Sequence, residues 1–238
     1  MSAVSRPPAP RFLYLHGFAS GPGSAKGRAL AAHYAARGIS MERLSLRVPS
    51  FEQQRLSAMI AEVRARIGGR RDRAVVFGSS LGGLTACRAA EEDARVCALV
   101  LLAPAFRIVE RWRARIGDAE WDAWRTSGWR AIDDYAERRA SRVDFAFVED
   151  AARVDAGGGG WPDVRVPTLI VHGVHDDVVD IDLSREWAAG KRHVRLIEVA
   201  DGHELGASIP RIAAETDVFL AGFGVSEPLP PATRAPPD

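Results

Sequence analysis

A chain of 238 residues, 47% hydrophobic and 26% charged, is long enough for one large globular core. Its formal net charge of +1 gives no electrostatic reason to expect nucleic acid or an anionic membrane surface as a partner. No apolar run approaches the roughly 20 residues that span a bilayer, and the proline-rich start lacks the apolar stretch of a secretory signal. We therefore expect a cytoplasmic protein, with Cys87 and Cys97 as small buried residues and not as a disulfide or metal pair.

Apolar runs and helical periodicities alternate along the chain. Strands are predicted at 12–15, within 39–48, and at 74–77, 96–103, 166–172 and 194–199. Helices are predicted at 25–37, 51–67, 84–92, 183–189 and 209–219. Continuously apolar strands separated by helices are typical of a parallel sheet covered on both faces. We predict an α/β fold with about six mostly parallel strands.

One stretch interrupts this alternation. Residues 107–160 contain no good strand pattern, and they carry four tryptophans among many charges. We predict a helical lid here, with two short helices joined at Gly128, lying above the edge of the sheet where ligands bind in open α/β folds. Trp121, Trp124 and Trp129 are candidates for an apolar substrate pocket, while packing against the core is the alternative.

The chain is thus divided into five predicted segments. They are a disordered N-terminus at 1–10, a first core part at 11–106, the lid at 107–160, a second core part at 161–222 and a proline-rich disordered tail at 223–238. The glycines at 157–160 predict a flexible return from the lid to the core.

The strand at 74–77 runs directly into the pattern Gly-x-Ser-x-Gly, and a predicted helix follows. This strand–turn–helix context is typical of a nucleophile elbow, with Ser80 at its apex. Gly78 and Gly82 are expected because the strand and the helix nearly touch at such a turn. The alternative is a glycine-rich turn that contains serines by chance.

A serine nucleophile needs a base, and the base needs an acid that orients it. Asp176 follows the predicted strand at 166–172, and His203 follows the last predicted strand. The order serine, acid, histidine is the order of partners that accompanies a nucleophile elbow. We predict Ser80, Asp176 and His203 as the catalytic residues, with Asp177 as the competing acid.

An oxyanion hole needs two backbone N–H groups near the serine. We expect one from Leu81, directly after the nucleophile, and the other from Phe18, in the loop after the first strand. Gly17 would let this backbone approach the serine closely. His16 is expected to hold the loop by hydrogen bonds and not to take part in the chemistry.

These motifs together resemble the α/β-hydrolase superfamily and, within it, the small bacterial YqiA/YcfP-type esterases. The resemblance rests on Tyr14-Leu15-His16-Gly17-Phe18, Ser20, Ser24-Ala25-Lys26, Gly78-Ser79-Ser80-Leu81-Gly82-Gly83, Asp176-Asp177-Val178-Val179-Asp180 and Gly202-His203. It implies a hydrolase of carboxylic esters or thioesters that needs no cofactor. Lys26 comes with the resemblance, and we expect its side chain to be solvated on the helix surface.

The leading hypothesis is therefore a serine hydrolase that acts on a small-molecule acyl ester or thioester. The alternatives are another reaction on the same fold, namely C–C bond hydrolysis, acyl transfer or peptide cleavage, or a binding protein that has lost turnover. No metal is expected, because His-x-x-x-His and Cys-x-x-Cys spacings are lacking and His172 and His175 belong to the acid loop.

Overall fold

The computed structural model describes residues 9–156 and 160–222. The predicted disorder of the tail and of most of the N-terminus lies outside these residues, as does most of the glycine run at 157–160. In the described part of the chain, no helix is both long enough and apolar enough to cross a membrane.

The described residues form eight strands and seven helices. The strands are β1 (Arg11–Leu15), β2 (Met41–Leu44), β3 (Ala74–Ser79), β4 (Val96–Leu102), β5 (Trp129–Asp134), β6 (Arg139–Asp144), β7 (Thr168–Gly173) and β8 (Val194–Val199). The helices are α1 (Ala25–Ala35), α2 (Leu56–Ile67), α3 (Leu81–Glu92), α4 (Ile108–Ser127), α5 (Ala146–Ala156), α6 (Ile181–Ala188) and α7 (Ile209–Ala221).

Six strands form one parallel sheet in the order β2-β1-β3-β4-β7-β8. Alternate residues of each strand enter two separate apolar cores, as Leu13 and Leu15 do on one face and Phe12 and Tyr14 on the other. Helices α2 and α3 cover the first face, and α1 and α7 cover the second. The predicted six-stranded α/β fold is confirmed.

This order brings the loops that carry the candidate residues to one edge of the sheet. Strand β1 pairs with β3, and β7 pairs with β8, so the loops after these four strands leave the sheet at its carboxyl edge. Strand β4 lies between β3 and β7. Residues far apart in the sequence therefore meet above one edge.

Helix α2 begins later than its sequence pattern predicts. Residues 51–55 are not helical: Ser50 Oγ accepts a hydrogen bond from the Gln53 N–H at 3.1 Å, and the Gln54 side chain donates to the Phe51 carbonyl. Phe51 is buried although it is not helical. The predicted helix began too early because this apolar residue fits the helical pattern.

The insertion between β4 and β7 is not wholly helical, so that prediction is wrong. Strands β5 and β6 form an antiparallel hairpin, with Trp129 opposite Asp144 and Asp134 opposite Arg139. Gly128 ends α4 with φ of +78°, and Trp129 already belongs to β5. These strands are short and rich in charge, so they lack the apolar runs that indicate strands in a sequence.

Ion pairs attach the insertion to the first core part. The guanidinium groups of Arg47, Arg55 and Arg88 bind carboxylates of the hairpin and of α5. The pairs are Arg47–Asp134 at 2.8 Å, Arg55–Asp144 at 2.7 Å and Arg88–Asp155 at 2.7 Å. The first two are bidentate, a geometry that fixes orientation as well as distance.

Replacing Asp134 by Asn should lower the free energy of unfolding at pH 7 by about 3 kcal/mol, because Arg47 would lose a fully buried counter-charge. The hydrogen bonds from Arg47 hold the pKa of Asp134 below its usual range. The carboxylate therefore stabilises the fold above the unfolded pKa, and this stabilisation disappears as the pH falls through the folded pKa. Urea denaturation should show wild type and variant converging at acidic pH.

The matched control is Asp118→Asn, since Asp118 pairs with Arg113 at 2.9 Å on the exposed surface of the same insertion. That change should have little effect on stability. An Asp134→Asn variant as stable as Asp118→Asn at pH 7 would show that the buried pair does not attach the hairpin.

Candidate active site

Ser80 lies in the tight turn between β3 and α3. Its φ of +54° and ψ of −117° place a residue with a side chain in the region that favours glycine. A Cβ on Gly78 would lie 2.4 Å from the Gly82 carbonyl oxygen, and one on Gly82 would lie 2.3 Å from the Leu15 carbonyl oxygen. Only glycine fits at both positions, and this close backbone packing places Ser80 at the apex of the turn.

The loops after β7 and β8 bring Asp176 and His203 together. His203 Nδ1 lies 2.7 Å from Asp176 Oδ2, a charge-assisted hydrogen-bond distance. The other carboxylate oxygen of Asp176 accepts the N–H groups of Val178 at 2.9 Å and Val179 at 2.7 Å. Asp177 is exposed, and the structure does not bring its carboxylate to His203.

His172 is a further member of this network, although no catalytic or positioning role was predicted for it. Its Nε2 lies 3.1 Å from Asp176 Oδ2 and 3.0 Å from the Val179 carbonyl oxygen. Both neighbours only accept hydrogen bonds, so Nε2 carries the proton and Nδ1 accepts the Ser184 hydroxyl at 2.8 Å. The signal in the sequence was a polar residue at the end of a continuously apolar strand.

The environment of Asp176 keeps it ionised. Burial alone would raise the pKa of this carboxyl, since its side chain is fully buried. The hydrogen bonds from His172, His203 and the Val179 N–H outweigh the burial and hold the pKa well below its usual range. A permanent negative charge therefore lies beside His203 Nδ1.

The loop after β1 lies against the serine turn. A Cβ on Gly17 would lie only 3.2 Å from the Cβ of Ser80, which shows how closely this backbone approaches. His16 is buried beneath it, where Nε2 accepts the Leu46 N–H at 3.0 Å and Nδ1 donates to the Gly17 carbonyl at 2.8 Å. The His16 imidazole thus joins the loop to the chain after β2.

Phe18 and Leu81, the predicted donors of the oxyanion hole, line the same cleft as Ser80. Within residues 9–156 and 160–222, neither the Phe18 N–H nor the Leu81 N–H has a hydrogen-bond acceptor. Leu81 is the first residue of α3, whose positive end also faces this position. These are the groups that the sequence predicted for an oxyanion hole.

Lys26 is not solvated on the helix surface, so that expectation is wrong. It is only 7% exposed, and its Nζ donates to the His203 carbonyl at 3.1 Å and lies 3.6 Å from Glu204 Oε2. The first turn of α1 faces the loop after β8, which the sequence could not indicate because 177 positions separate the two residues.

Ser80 and His203 open into one cleft of about 710 Å³, between the sheet edge and the insertion. Among the residues that line it, the tryptophan is Trp112, and the predicted pocket residues are not there. Trp121 and Trp124 are buried against Phe145. Trp129 packs under Arg142, whose Cζ lies 4.2 Å from the centroid of the indole ring. The three predicted tryptophans therefore support the insertion, and Trp112 faces the cleft.

A parallel sheet with a strained serine turn after β3 and an Asp–His pair after β7 and β8 defines an α/β-hydrolase fold. The resemblance predicted from the sequence is thereby confirmed. The chain belongs to the uncharacterised protein family UPF0227, whose model matches residues 11–215.

Solved structures share this fold at low sequence identity. Alpha/beta hydrolase domain-containing protein 10 from mouse matches with a TM-score of 0.73 and 18% identity over 92% of each chain. Est1E from Butyrivibrio proteoclasticus, solved with ferulic acid bound, matches with a TM-score of 0.70 and 20% identity. The match covers 93% of this chain and 92% of Est1E. An esterase from Pyrococcus furiosus matches with a TM-score of 0.64 and 15% identity, over 90% of this chain and 83% of the esterase. No curated protein matches the chain in sequence.

The hydrogen-bond pattern predicts opposite tautomers for the two buried histidines of the site. At neutral pH, His172 should carry its proton on Nε2 and His16 on Nδ1. Long-range ¹H–¹⁵N correlation spectra of the imidazole rings distinguish these forms directly. The same tautomer in both rings would contradict the network.

Proposed function

We propose that the chain is a serine hydrolase that cleaves a carboxylic ester or thioester of a small acyl substrate. The observation that carries this proposal is the 2.7 Å hydrogen bond between His203 and a buried, ionised Asp176. It fixes Nδ1 as the protonated nitrogen and leaves Nε2 to act as a base. Ser80 lines the same cleft as His203.

In the proposed reaction, Ser80 Oγ attacks the carbonyl carbon while His203 Nε2 takes its proton. The N–H groups of Phe18 and Leu81 stabilise the oxyanion that forms, because neither is engaged elsewhere in the described chain. His203 then returns the proton to the departing alcohol or thiol, and an acyl-enzyme remains on Ser80. Water, deprotonated by His203, attacks this acyl group and releases the acid.

The insertion supports an acyl substrate with an apolar part. Phe18, Ile108, Trp112 and Ile132 line the cleft above Ser80. We propose that residues 107–160 act as the lid that excludes water and forms this apolar wall. The name of the Pyrococcus furiosus neighbour, an esterase, agrees with the proposed class of reaction.

Steady-state hydrolysis of a short aryl ester tests the proposal with matched variants. Ser80→Ala should abolish turnover. Asp176→Asn should lower kcat by about 10⁴-fold, as expected when a triad base is held in the wrong tautomer. Asp177→Asn should change kcat little, because its exposed carboxylate does not reach His203.

Thermal melting of each variant controls for folding. A Ser80→Ala protein that keeps a tenth of the wild-type activity would contradict the proposed nucleophile. Equal losses in the two aspartate variants would contradict the role of the buried acid.

A further inference from the structure

Two arginines of α4 face the candidate cleft. Arg111 and Arg115 lie one helical turn apart, and both line the cleft that contains Ser80 and an adjoining cavity of the same volume beside the acid loop. Carboxylates line these cavities too, namely Asp176, Asp177 and Asp180 beside the acid loop.

These two guanidinium groups lack the partners that other arginines of the insertion have. Arg113, which lies between them in sequence, pairs with Asp118 at 2.9 Å, and Arg130 pairs with Glu120 at 3.0 Å. Neither Arg111 nor Arg115 forms an ion pair with any residue that the structure describes. Two like charges one turn apart destabilise a helix unless something compensates them.

The hydrogen bonds of the pair leave capacity for a ligand. Arg111 Nη2 donates to the Val178 carbonyl, and Arg115 Nη1 donates to the Asp177 carbonyl at 3.3 Å. Arg111 Nη1 is buried and has no acceptor among the described residues. An unmatched buried donor on a charged group costs free energy that an incoming acceptor would recover.

Asp176 and Asp180 both act on the charge of Arg111, but Arg111 Nη1 has neither of them as an acceptor in the described chain. Asp176 is close enough to act on the charge of Arg111, but its oxygens already accept bonds from two histidines and from the backbone. Burial lowers the pKa of Arg111, and the neighbouring Arg115 lowers it further. An arginine nevertheless stays charged at neutral pH, so an anion in the cleft would compensate both groups.

We propose that Arg111 and Arg115 bind an anionic oxygen group of the substrate, a carboxylate or a phosphate, while its ester carbonyl lies at Ser80. This inference rests on the proposed function and adds a substrate class: esters or thioesters that carry both an apolar part and a negative charge. Guanidinium groups suit this task because their paired N–H donors match the oxygens of carboxylate and phosphate.

The apolar and charged surfaces of the cleft are arranged for such a molecule. Phe18, Trp112 and Ile132 line both cavities together with the two arginines. An apolar chain could therefore lie against the aromatic rings while an anionic end reaches the guanidinium groups. The competing explanation is that the arginines only hold the acid loop through its carbonyl groups.

Matched esters separate these explanations. The leaving-group series is 4-butyryloxybenzamide, which is neutral, 4-butyryloxybenzoate and 4-butyryloxyphenyl phosphate. The acyl series is the phenyl ester of glutaramic acid, which is neutral, and monophenyl glutarate. The measured quantity is kcat/KM for each anionic ester divided by that of its neutral partner. The two series show on which side the charge is recognised, and the leaving-group series separates carboxylate from phosphate.

We expect this ratio to exceed about 10 in the wild type for at least one anionic ester, the effect of one or two charge-assisted hydrogen bonds. Arg111→Gln and Arg115→Gln should each lower it at least about fivefold, and Arg111→Lys should retain part of it. Arg113→Gln is the matched control on the same helix, and it should leave the ratio unchanged. A role confined to holding the loop would change both esters of a pair alike.

A binding measurement keeps this test independent of turnover. Calorimetry with the Ser80→Ala protein compares 4-butyramidobenzoate with the neutral 4-butyramidobenzamide, two amide analogues of the esters. The anion site is supported if the benzoate binds more tightly than the benzamide and if this preference is lost on adding Arg111→Gln. This result does not depend on ester hydrolysis, so it would hold even if the proposed function fails. A wild-type ratio near 1 for every ester pair overturns the inference, and if no ester is hydrolysed, equal binding of the two amides overturns it.

Discussion

The Asp176 carboxylate is the constraint on which the candidate site depends. It lies with no exposed side-chain surface, and it stays ionised because two histidines and two backbone N–H groups donate to it. His172 comes from the end of β7 and His203 from the loop after β8, so one carboxylate joins two neighbouring strands of the sheet. His172 in turn is fixed by Ser184 of α6. The orientation of the proposed base is thus set by the packing of the sheet and not by its own loop alone.

The insertion contributes to this edge through charge as well as through apolar packing. Its hairpin is held by bidentate ion pairs to the first core part, and its first helix sends arginines to the carbonyl groups of the acid loop. Trp112 packs edge to face against Phe18, whose N–H is one proposed oxyanion donor. The insertion therefore contacts both the acid loop and the loop after β1.

The sequence predicted those features that depend on local pattern. Continuously apolar strands indicated the parallel sheet, and the glycines around Ser80 indicated the turn after β3. The remaining features depend on contacts between distant residues. Lys26 reaches His203 across the fold, and the hairpin strands carry too many charges to show an apolar alternation. Trp121 and Trp124 contact each other on α4, but only the fold shows that they pack on Phe145 and that Trp112 faces the cleft.

If Ser80 is a nucleophile activated by His203, a reagent that modifies activated serines should label it. The protein would be treated with a fluorophosphonate and digested with trypsin, which releases residues 74–88 as one peptide containing both Ser79 and Ser80. Tandem mass spectrometry should place the adduct on Ser80, and a His203→Ala variant should form it far more slowly. An adduct on the buried Ser79, no adduct at all, or equally fast labelling of the His203→Ala variant would contradict the activation of Ser80 by His203.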